Sequence, residues 1–126
     1  MVKLVVDTDI VIDYLRAGQG PFLAILDLQQ KGEAEIYVSA ATVLELYAGQ
    51  SSKTDSEQVE KILDNLAIVE LSRELAKFVG EKKRDMTASI SLNDLIIGCT
   101  TLVLKARLVT RNKKHFTPIP GLKFYT

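Results

Sequence analysis

Residues 4–15 read LVVDTDIVIDYL and carry the clearest structural signal in the chain. The short aliphatic run at 4–6 is typical of a strand that is buried on both faces of a sheet. Asp7 ends the run, and the apolar residues after it follow the spacing of an amphipathic helix, at Ile10, Val11, Tyr14 and Leu15. The stretch therefore predicts a buried strand that leads through Asp7 directly into a helix.

The same alternation of strand and helix patterns continues along the chain. Short apolar runs predict further strands at 36–38, 67–69, 108–109 and 122–124. Helical spacing and a polar break define the segments between them: helices at about 22–30, 41–48, 57–66 and 92–106, one more helix around Leu75, Phe78 and Val79, and a break at 50–56. Strands separated in this way indicate an α/β fold with a mainly parallel sheet covered on both faces. Such sheets bind ligands beyond the carboxyl ends of their strands.

Length and composition indicate one domain. A chain of 126 residues, 47% of them hydrophobic, is long enough for one core and too short for two, so we expect residues 1–126 to form a single domain. Its 16 basic residues are matched by 16 acidic ones. This balance excludes a generic basic nucleic-acid coat, and any nucleic-acid partner would require a local patch.

The sequence predicts a cytoplasmic protein that does not associate with a membrane. Asp7 comes too early for a signal peptide, and the longest apolar stretch, at 95–104, is too short to span a bilayer. Cys99, the single cysteine, excludes an internal disulfide and a cysteine-rich zinc site. One thiol suits a reducing compartment.

Oxygen-bearing side chains follow the predicted strands. Asp7 comes directly after the first strand, and Glu45 lies in the helix after the second. Asp94 opens the most apolar helix, and Asn112 stands just past the strand at 108–109. Carboxylates brought together on one rim repel each other unless a cation neutralises them, and oxygen ligands suit Mg²⁺ or Mn²⁺. The pattern predicts metal-dependent hydrolysis of a phosphodiester.

Helix capping offers a simpler explanation for each acid taken alone. Asp7 is suited to capping the first helix, and the pairs Thr42–Glu45 and Ser91–Asp94 both have the spacing of a capping box. Asp94 is unusual as a capping-box residue because apolar residues surround it in the sequence. Capping explains each acid, but it does not explain why all of them fall on the same rim.

Four runs of sequence together resemble PIN-domain ribonucleases, and in particular the VapC-type toxins of toxin–antitoxin pairs. The runs are VVDTDIVIDYL (5–15), TVLELYAG (42–49), SLNDLIIGCTTL (91–102) and LVTRNKKHF (108–116). They follow the order of the family with similar gaps, and the resemblance covers essentially the whole chain. It implies a PIN-like three-layer α/β/α sandwich with a mainly parallel central sheet, and an endoribonuclease that uses Mg²⁺ or Mn²⁺.

Carried over position by position, the resemblance implies the site residues. Asp7 and Asp94 match the metal-binding aspartates of the family, and Glu45 matches its acid on the helix after the second strand. Thr8 and Thr110 match small hydroxyl residues beside the site, where we expect them to help bind the substrate.

Asn112 departs from the family pattern, because many members have a fourth acid there. An amide still coordinates a metal through its carbonyl oxygen or orients a bound water, so Asn112 is kept among the predicted catalytic residues. The missing negative charge favours one firmly held ion, with a second recruited alongside the substrate phosphate.

A basic run lies beside the predicted site. Arg111 and Lys113 are predicted to position RNA through its phosphates, contacts that hold the backbone without reading its sequence. A solvated loop is the alternative. His115 is expected to pack rather than to bind a metal. Asp9 and Asp13 in the first helix have no clear partner, and we expect Asp9 to face solvent.

The resemblance also implies partners: an RNA substrate, a cognate antitoxin protein and a second copy of the chain in a homodimer. Tyr47 and the apolar positions at 59–66 are candidates for the surface that receives a protein partner, for example a helix laid into a groove. Packing within the domain is the alternative for both.

Other functions remain open on the residues alone. Residues 7–11, DTDIV, fit the motif of haloacid-dehalogenase-like phosphatases, whose first Asp forms an aspartyl phosphate, but the acidic pair that those enzymes need is not found after Asp94. A receiver-like signalling domain needs an acceptor Asp after a middle strand, and the strand at 67–69 is followed by Glu70. A PIN-like scaffold that binds RNA or protein without cutting is the third alternative, and Asn112 is the reason to consider it.

Overall fold

The computed structural model describes residues 1–49 and 53–125. The strands are β1 (Val2–Val6), β2 (Ala34–Ser39), β3 (Ala67–Val69) and β4 (Arg107–Val109). The helices are α1 (Thr8–Ala17), α2 (Phe22–Gln30), α3 (Ala40–Ala48), α4 (Lys53–Leu63), α5 (Arg73–Asp85), α6 (Leu92–Leu104) and α7 (Lys113–Phe116). Within these described ranges no helix combines the length and the apolar character needed to cross a membrane.

The four strands form one parallel sheet in the order β3-β2-β1-β4. β1 is an inner strand, and its register pairs Leu4 with Ile36 of β2 and Val5 with Leu108 of β4. Parallel pairing sets the carboxyl ends of these strands at a common edge, where α/β sheets bind ligands. The predicted α/β class and parallel sheet are confirmed.

Each face of the sheet carries its own apolar core, because alternate residues of a strand point to opposite faces. Leu4 and Val6 belong to a cluster with side chains of α1, α2 and α4. Val5, which lies between them, belongs to a second cluster with side chains of α5, α6 and α7. The fully buried rings of Phe22 and Phe116 anchor the first and the second cluster. This arrangement is the predicted three-layer α/β/α sandwich.

Serine side chains cap the N-termini of α3 and α6, the helix ends that lie at the carboxyl edge of the sheet. Ser91 Oγ accepts a hydrogen bond from the Asp94 N–H at 3.1 Å, as the Ser91–Asp94 spacing predicts. The predicted capping box at Thr42–Glu45 is wrong, because Ser39 caps α3 and its Oγ accepts from the Thr42 N–H at 3.2 Å. The side chains of Thr42 and Glu45 are therefore available for other contacts.

Two further segments differ from the sequence prediction. The run at 122–124 is not a strand, because Phe124 forms only an isolated bridge with Leu108. The Leu108 N–H donates to the Lys123 carbonyl, and the Leu108 carbonyl accepts from the Tyr125 N–H, each at 2.9 Å. The basic run contains the short helix α7, which buries Phe116. Within the predicted break at 50–56, residues 50–52 lie outside the described residues, and α4 begins at Lys53.

Cys99 is a packing residue of the core. Its side chain is fully buried in the second cluster. Burial raises the pKa of the thiol to about 11, because an apolar environment disfavours the thiolate. The thiol is neutral at physiological pH and takes no part in the chemistry considered below.

Gly98 lets α6 pack closely against the C-terminal segment. A Cβ atom at residue 98 would collide with Cδ1 of Ile119, which is itself buried. Gly98→Ala is expected to lower the free energy of unfolding, because overpacking costs about 1–3 kcal/mol and outweighs the gain of up to about 1 kcal/mol in helix propensity. Chemical denaturation followed by circular dichroism measures the difference.

Ile119→Val provides the matched rescue, because it removes the Cδ1 methyl that the new side chain meets. The double variant Gly98→Ala/Ile119→Val is expected to be more stable than Gly98→Ala alone. A single variant as stable as the wild type would contradict the predicted collision, and so would a double variant without any recovery.

Candidate active site

The candidate site lies at the carboxyl edge of the sheet. Asp7 directly follows β1, and Thr110 directly follows β4. Glu45 lies in α3, which starts where β2 ends, and Asp94 lies in the first turn of α6. Four separate segments of the chain therefore contribute to one edge, as the alternation of strands and helices predicts.

Asp7 is held through both oxygens of its side chain. Oδ1 accepts a hydrogen bond from the Thr8 N–H, and Oδ2 accepts one from the Thr110 hydroxyl, each at 2.7 Å. The Asp7 N–H donates to the Val109 carbonyl at 2.9 Å, so the backbone is fixed as well. Asp7 is 6% exposed and is also the N-cap of α1. The capping explanation is confirmed for this residue, and each carboxylate oxygen keeps a further lone pair for a ligand.

The environment of the Asp7 carboxyl disfavours its charge. Burial raises its pKa above the usual value, because a charged group loses its hydration. The hydrogen bonds from Thr110 and Thr8 counteract the rise, and the negative charges of Asp9 and Asp94 add to it. A cation beside Asp7 would relieve both the burial penalty and the repulsion.

Glu45 is tied to α1 through a hydroxyl group. The Thr8 hydroxyl donates to Oε1 of Glu45 at 2.6 Å and lies 3.1 Å from the Thr42 hydroxyl. Thr42 Oγ1 is in turn 3.4 Å from Ser39 Oγ, and all three hydroxyl residues are buried. In this structure Thr8 orients Glu45, just as Thr110 orients Asp7.

Asp94 has a histidine neighbour. His115 Nδ1 lies 3.9 Å from Oδ2 of Asp94, a distance that allows electrostatic attraction to a protonated ring but is too long for a hydrogen bond. The Asp94 side chain is 26% exposed and that of His115 is 62% exposed. The expectation that His115 packs is wrong, because the neighbouring Phe116 fills the core position instead.

Asn112 is held through its backbone and its side chain. Its N–H donates to Thr110 Oγ1 at 3.0 Å, and its Nδ2 donates to Oδ2 of Asp9 at 2.8 Å. Since a carboxylate accepts hydrogen bonds and does not donate them, the amide must turn its NH₂ group towards Asp9 and its carbonyl oxygen away from it. Asn112 therefore links the segment after β4 to the first turn of α1.

Arg111 pairs with the same helix. Its Nη1 lies 2.9 and 3.1 Å from the two carboxylate oxygens of Asp13, and its Nε lies 3.8 Å from Oδ2 of Asp9. The expectation that Asp9 and Asp13 have no partner is wrong. Their spacing of four residues was the available signal, because it sets both acids on one face of α1. Lys113 opens α7, and its Nζ lies 5.8 Å from the centre of the Phe124 ring.

Of the two candidate partner surfaces, one is buried in the domain and the other is exposed. Val59 and Leu63 of α4 are buried in the first cluster, and Ile62 and Leu66 pack against it. The apolar face of α4 thus belongs to the core of the domain. Tyr47 in α3 is 38% exposed and stays at the surface.

The donors at the carboxyl edge suit a hard divalent cation. Asp7, Glu45 and Asp94 offer carboxylate oxygens, the ligands that Mg²⁺ and Mn²⁺ prefer. In the part of the chain that the structure describes, no group of three or more acidic, histidine or cysteine side chains is already arranged to hold a metal ion. The observation that favours a cation is the buried Asp7 carboxylate, whose charge the neighbouring acids disfavour.

Proteins named as ribonucleases are similar to this chain over nearly its whole length. Ribonuclease VapC1 of Methanocaldococcus jannaschii is 35% identical in an alignment of 131 positions, which covers 98% of this chain and 87% of that protein. Ribonuclease VapC19 of Mycobacterium tuberculosis is 28% identical and covers 94% of this chain and 95% of its own.

Solved structures share the fold. VapBC2 from Rickettsia felis, bound to a DNA fragment from its promoter, matches with a TM-score of 0.85 and 25% identity over 98% of both chains. DNA-bound VapBC from Salmonella typhimurium matches with a TM-score of 0.85 and 20% identity over 99% of this chain and 98% of that one. A sequence profile of the PIN domain matches residues 4–120, a range that includes every residue of the carboxyl edge described above. The chain belongs to the PIN-domain family.

Proposed function

We propose that this protein is a VapC-type endoribonuclease that hydrolyses RNA phosphodiester bonds with Mg²⁺ or Mn²⁺ and serves as the toxin of a toxin–antitoxin pair. The observation that carries the proposal is the buried carboxylate of Asp7 at the carboxyl edge of a PIN-domain sheet. Relatives named ribonucleases match this chain over nearly its whole length, which supports RNA as the substrate.

Asp7, Glu45 and Asp94 are the residues that would hold the divalent cation, with Asn112 assisting through its amide oxygen. When bound, such an ion lowers the pKa of a water molecule and offsets negative charge on the phosphate. The Thr8 and Thr110 hydroxyls orient the first two acids before any ligand arrives, which is how supporting hydrogen bonds fix the geometry of a site.

Arg111 and Lys113 are proposed to hold the RNA backbone beside the cation. The Arg111 guanidinium is exposed, and Asp13 already pairs with it at the surface. Surface ion pairs contribute about 0–1 kcal/mol, so a phosphate can take the place of the Asp13 carboxylate at little cost. Contacts of this kind hold the backbone without reading sequence.

The proposed protein partners are a cognate antitoxin and a second copy of the chain in a homodimer. Solved structures that match this chain include VapBC proteins and a toxin–antitoxin complex from Klebsiella pneumoniae, the latter with a TM-score of 0.71 and 25% identity. Leu44 and Tyr47 leave exposed apolar surface on α3 next to Glu45, and we propose this surface for the antitoxin. An RNA substrate and a single neutral thiol fit action in the cytoplasm.

A PIN-domain module that binds RNA or protein without cutting is the second candidate, because Asn112 removes one acid from the family pattern. The phosphatase and receiver alternatives lose their support, since the chain belongs to a different family. Cleavage assays separate the two remaining candidates.

Asp94→Asn is expected to abolish RNA cleavage and to leave the fold intact, because it removes the charge without changing the volume of a partly exposed side chain. Loss of metal assistance predicts a rate lower by about a hundredfold or more. Cleavage of a fluorescent single-stranded RNA in Mn²⁺ measures the effect, and EDTA should stop the wild type. Asp64→Asn, at an exposed acid after α4, is the matched control and should retain activity. Equal rates for the wild type and Asp94→Asn would contradict the proposal.

Asp7→Asn is expected to raise the stability of the metal-free protein at pH 7, because a neutral amide avoids burying a charge. The pKa of Asp7 is higher in the folded state than in the unfolded state. The carboxyl therefore contributes its full stability below the unfolded pKa, about 4, and loses it as the pH rises through the folded pKa. The advantage of the amide should accordingly disappear near pH ~3.

Thermal unfolding in EDTA at both pH values measures this difference, with Asp64→Asn as the control that should show no such change. Adding Mn²⁺ should raise the melting temperature of the wild type by mass action and should leave that of Asp7→Asn nearly unchanged. An Asp7→Asn protein that is less stable at pH 7, or that Mn²⁺ stabilises as strongly as the wild type, would count against the assigned role of Asp7.

Expression of the wild type in bacteria is expected to arrest growth, and co-expression of the cognate antitoxin should relieve the arrest. Asp94→Asn, expressed at the same level, should be harmless because it lacks cleavage. Colony counts after induction measure the effect. Normal growth with a wild type that cuts RNA in vitro would argue against the toxin role and leave the nuclease assignment in place.

A further inference from the structure

Asp9 is an acid at the edge of the site that the proposed mechanism does not use. It lies two residues after Asp7, in the first turn of α1, and its side chain is 38% exposed. Its Oδ2 accepts a hydrogen bond from Asn112 Nδ2 at 2.8 Å. Arg111 Nε lies 3.8 Å from the same oxygen. Both contacts involve Oδ2, and Oδ1 is not used by either of them.

Hydrogen bonds form a ring that ties Asp9 to Asp7. Oδ2 of Asp7 accepts from the Thr110 hydroxyl at 2.7 Å, and Thr110 Oγ1 accepts from the Asn112 N–H at 3.0 Å. The Asn112 side chain donates to Asp9, and the α1 backbone joins Asp9 to Asp7. The ring fixes the two carboxylates relative to each other, and the charge of Asp9 contributes to the raised pKa of Asp7.

The identity of residue 112 decides the charge of this pair. An aspartate at 112 would set a second carboxylate against Asp9 at hydrogen-bond distance, and two such charges repel each other. Asparagine instead gives a hydrogen bond to a charged acceptor, which is stronger than a hydrogen bond between neutral groups. The pair Asp9–Asn112 therefore carries one negative charge in a fixed place.

We propose that Asp9 supplies the fourth negative charge of the site and that Asn112 is the donor that holds it there. The amide–carboxylate pair then replaces the fourth acid that residue 112 does not provide. The inference rests on the proposed function, since the charge acts on a divalent cation held by Asp7, Glu45 and Asp94. Asp9 raises the affinity of the site for that cation through its charge, and Asn112 is the positioning residue that holds this charge in place.

Helix stabilisation is the competing explanation for Asp9. An acid in the first turn of a helix interacts favourably with the positive end of the helix dipole. That role would change the stability of the protein when Asp9 is replaced, but it would not change the affinity for a cation. Helix stabilisation also gives no reason why a second substitution at residue 112 should restore the affinity for a cation.

Transposing the charge within the pair separates the two explanations. Asp9→Asn removes the charge, and the double variant Asp9→Asn/Asn112→Asp returns it on the other partner with the hydrogen bond reversed. Titration calorimetry with Mn²⁺ alone, without RNA and at constant ionic strength, measures the affinity. Asp9→Asn is expected to bind Mn²⁺ about ten- to a hundredfold more weakly, the range seen for groups just outside the metal ligands, and the double variant should regain most of the affinity.

Two further variants complete the design. Asp27→Asn removes the same charge from an exposed acid of α2 that pairs with Lys31, and it should bind Mn²⁺ as the wild type does. Asn112→Asp keeps Asp9 and should be less stable without metal, because two carboxylates face each other, while Mn²⁺ stabilises it at least as much as the wild type. This variant tests the charge pair even if Asp9→Asn folds poorly.

The outcomes separate this inference from the proposed function. Asp9→Asn binding Mn²⁺ as tightly as the wild type overturns the inference, and so does a double variant that stays as weak as Asp9→Asn. If the wild type binds no Mn²⁺, or if Asp94→Asn binds it as tightly, the proposed metal site fails and the inference fails with it. Loss in Asp94→Asn and Asp9→Asn, together with recovery in the double variant, supports both.

Discussion

The burial of the Asp7 carboxylate at the end of the inner strand β1 is the constraint on which the rest of the site depends. A carboxylate in that position loses hydration and needs compensation from hydrogen-bond donors or from a cation. Protein donors supply a part of it, namely the Thr8 N–H and the Thr110 hydroxyl. Burial together with the nearby acids still raises the pKa of Asp7. Because the hydrogen bonds do not fully compensate the buried charge, a divalent cation at this edge of the sheet would stabilise the Asp7 carboxylate.

Buried hydroxyl groups hold the acids of the site through hydrogen bonds. The Thr8 and Thr110 hydroxyls donate to Glu45 and Asp7, and the expectation that they also help to bind the substrate stays a prediction. Buried hydrogen-bonded groups of this kind hold the side chains above them in one orientation. Thr42 and Ser39 are buried beside these threonines. Their hydroxyls lie 3.4 Å apart, so polar groups at this edge of the sheet have hydrogen-bond partners although they are buried.

Acids of α1 pair with Arg111 in the segment after β4, which keeps a basic group at this edge of a chain with no net charge, as the proposed binding of RNA requires. Asp9 and Asp13 lie on one face of α1, while Arg111 and Asn112 lie in the segment after β4. Arg111 is thus held at the rim by an exposed pair that a phosphate can exchange. The basic run is local, so the chain needs no overall positive charge to attract the backbone of a nucleic acid.

The alternation of strands and helices and the parallel sheet could be predicted from the sequence, because the spacing of apolar residues such as Leu4, Val6 and Ile10 reflects local backbone geometry. It also placed Asp7, Glu45 and Asp94 near one edge, since parallel strands end together. Which side chains make contact at that edge depends on how distant segments pack together, and this is visible in the structure alone. Asp9 and Asp13 contact Asn112 and Arg111, which lie about a hundred residues away in the chain. These contacts form because β4 pairs with β1 in parallel, which sets the segment after β4 beside the start of α1. The spacing of Asp9 and Asp13 puts both acids on one face of α1, but it does not identify their partners.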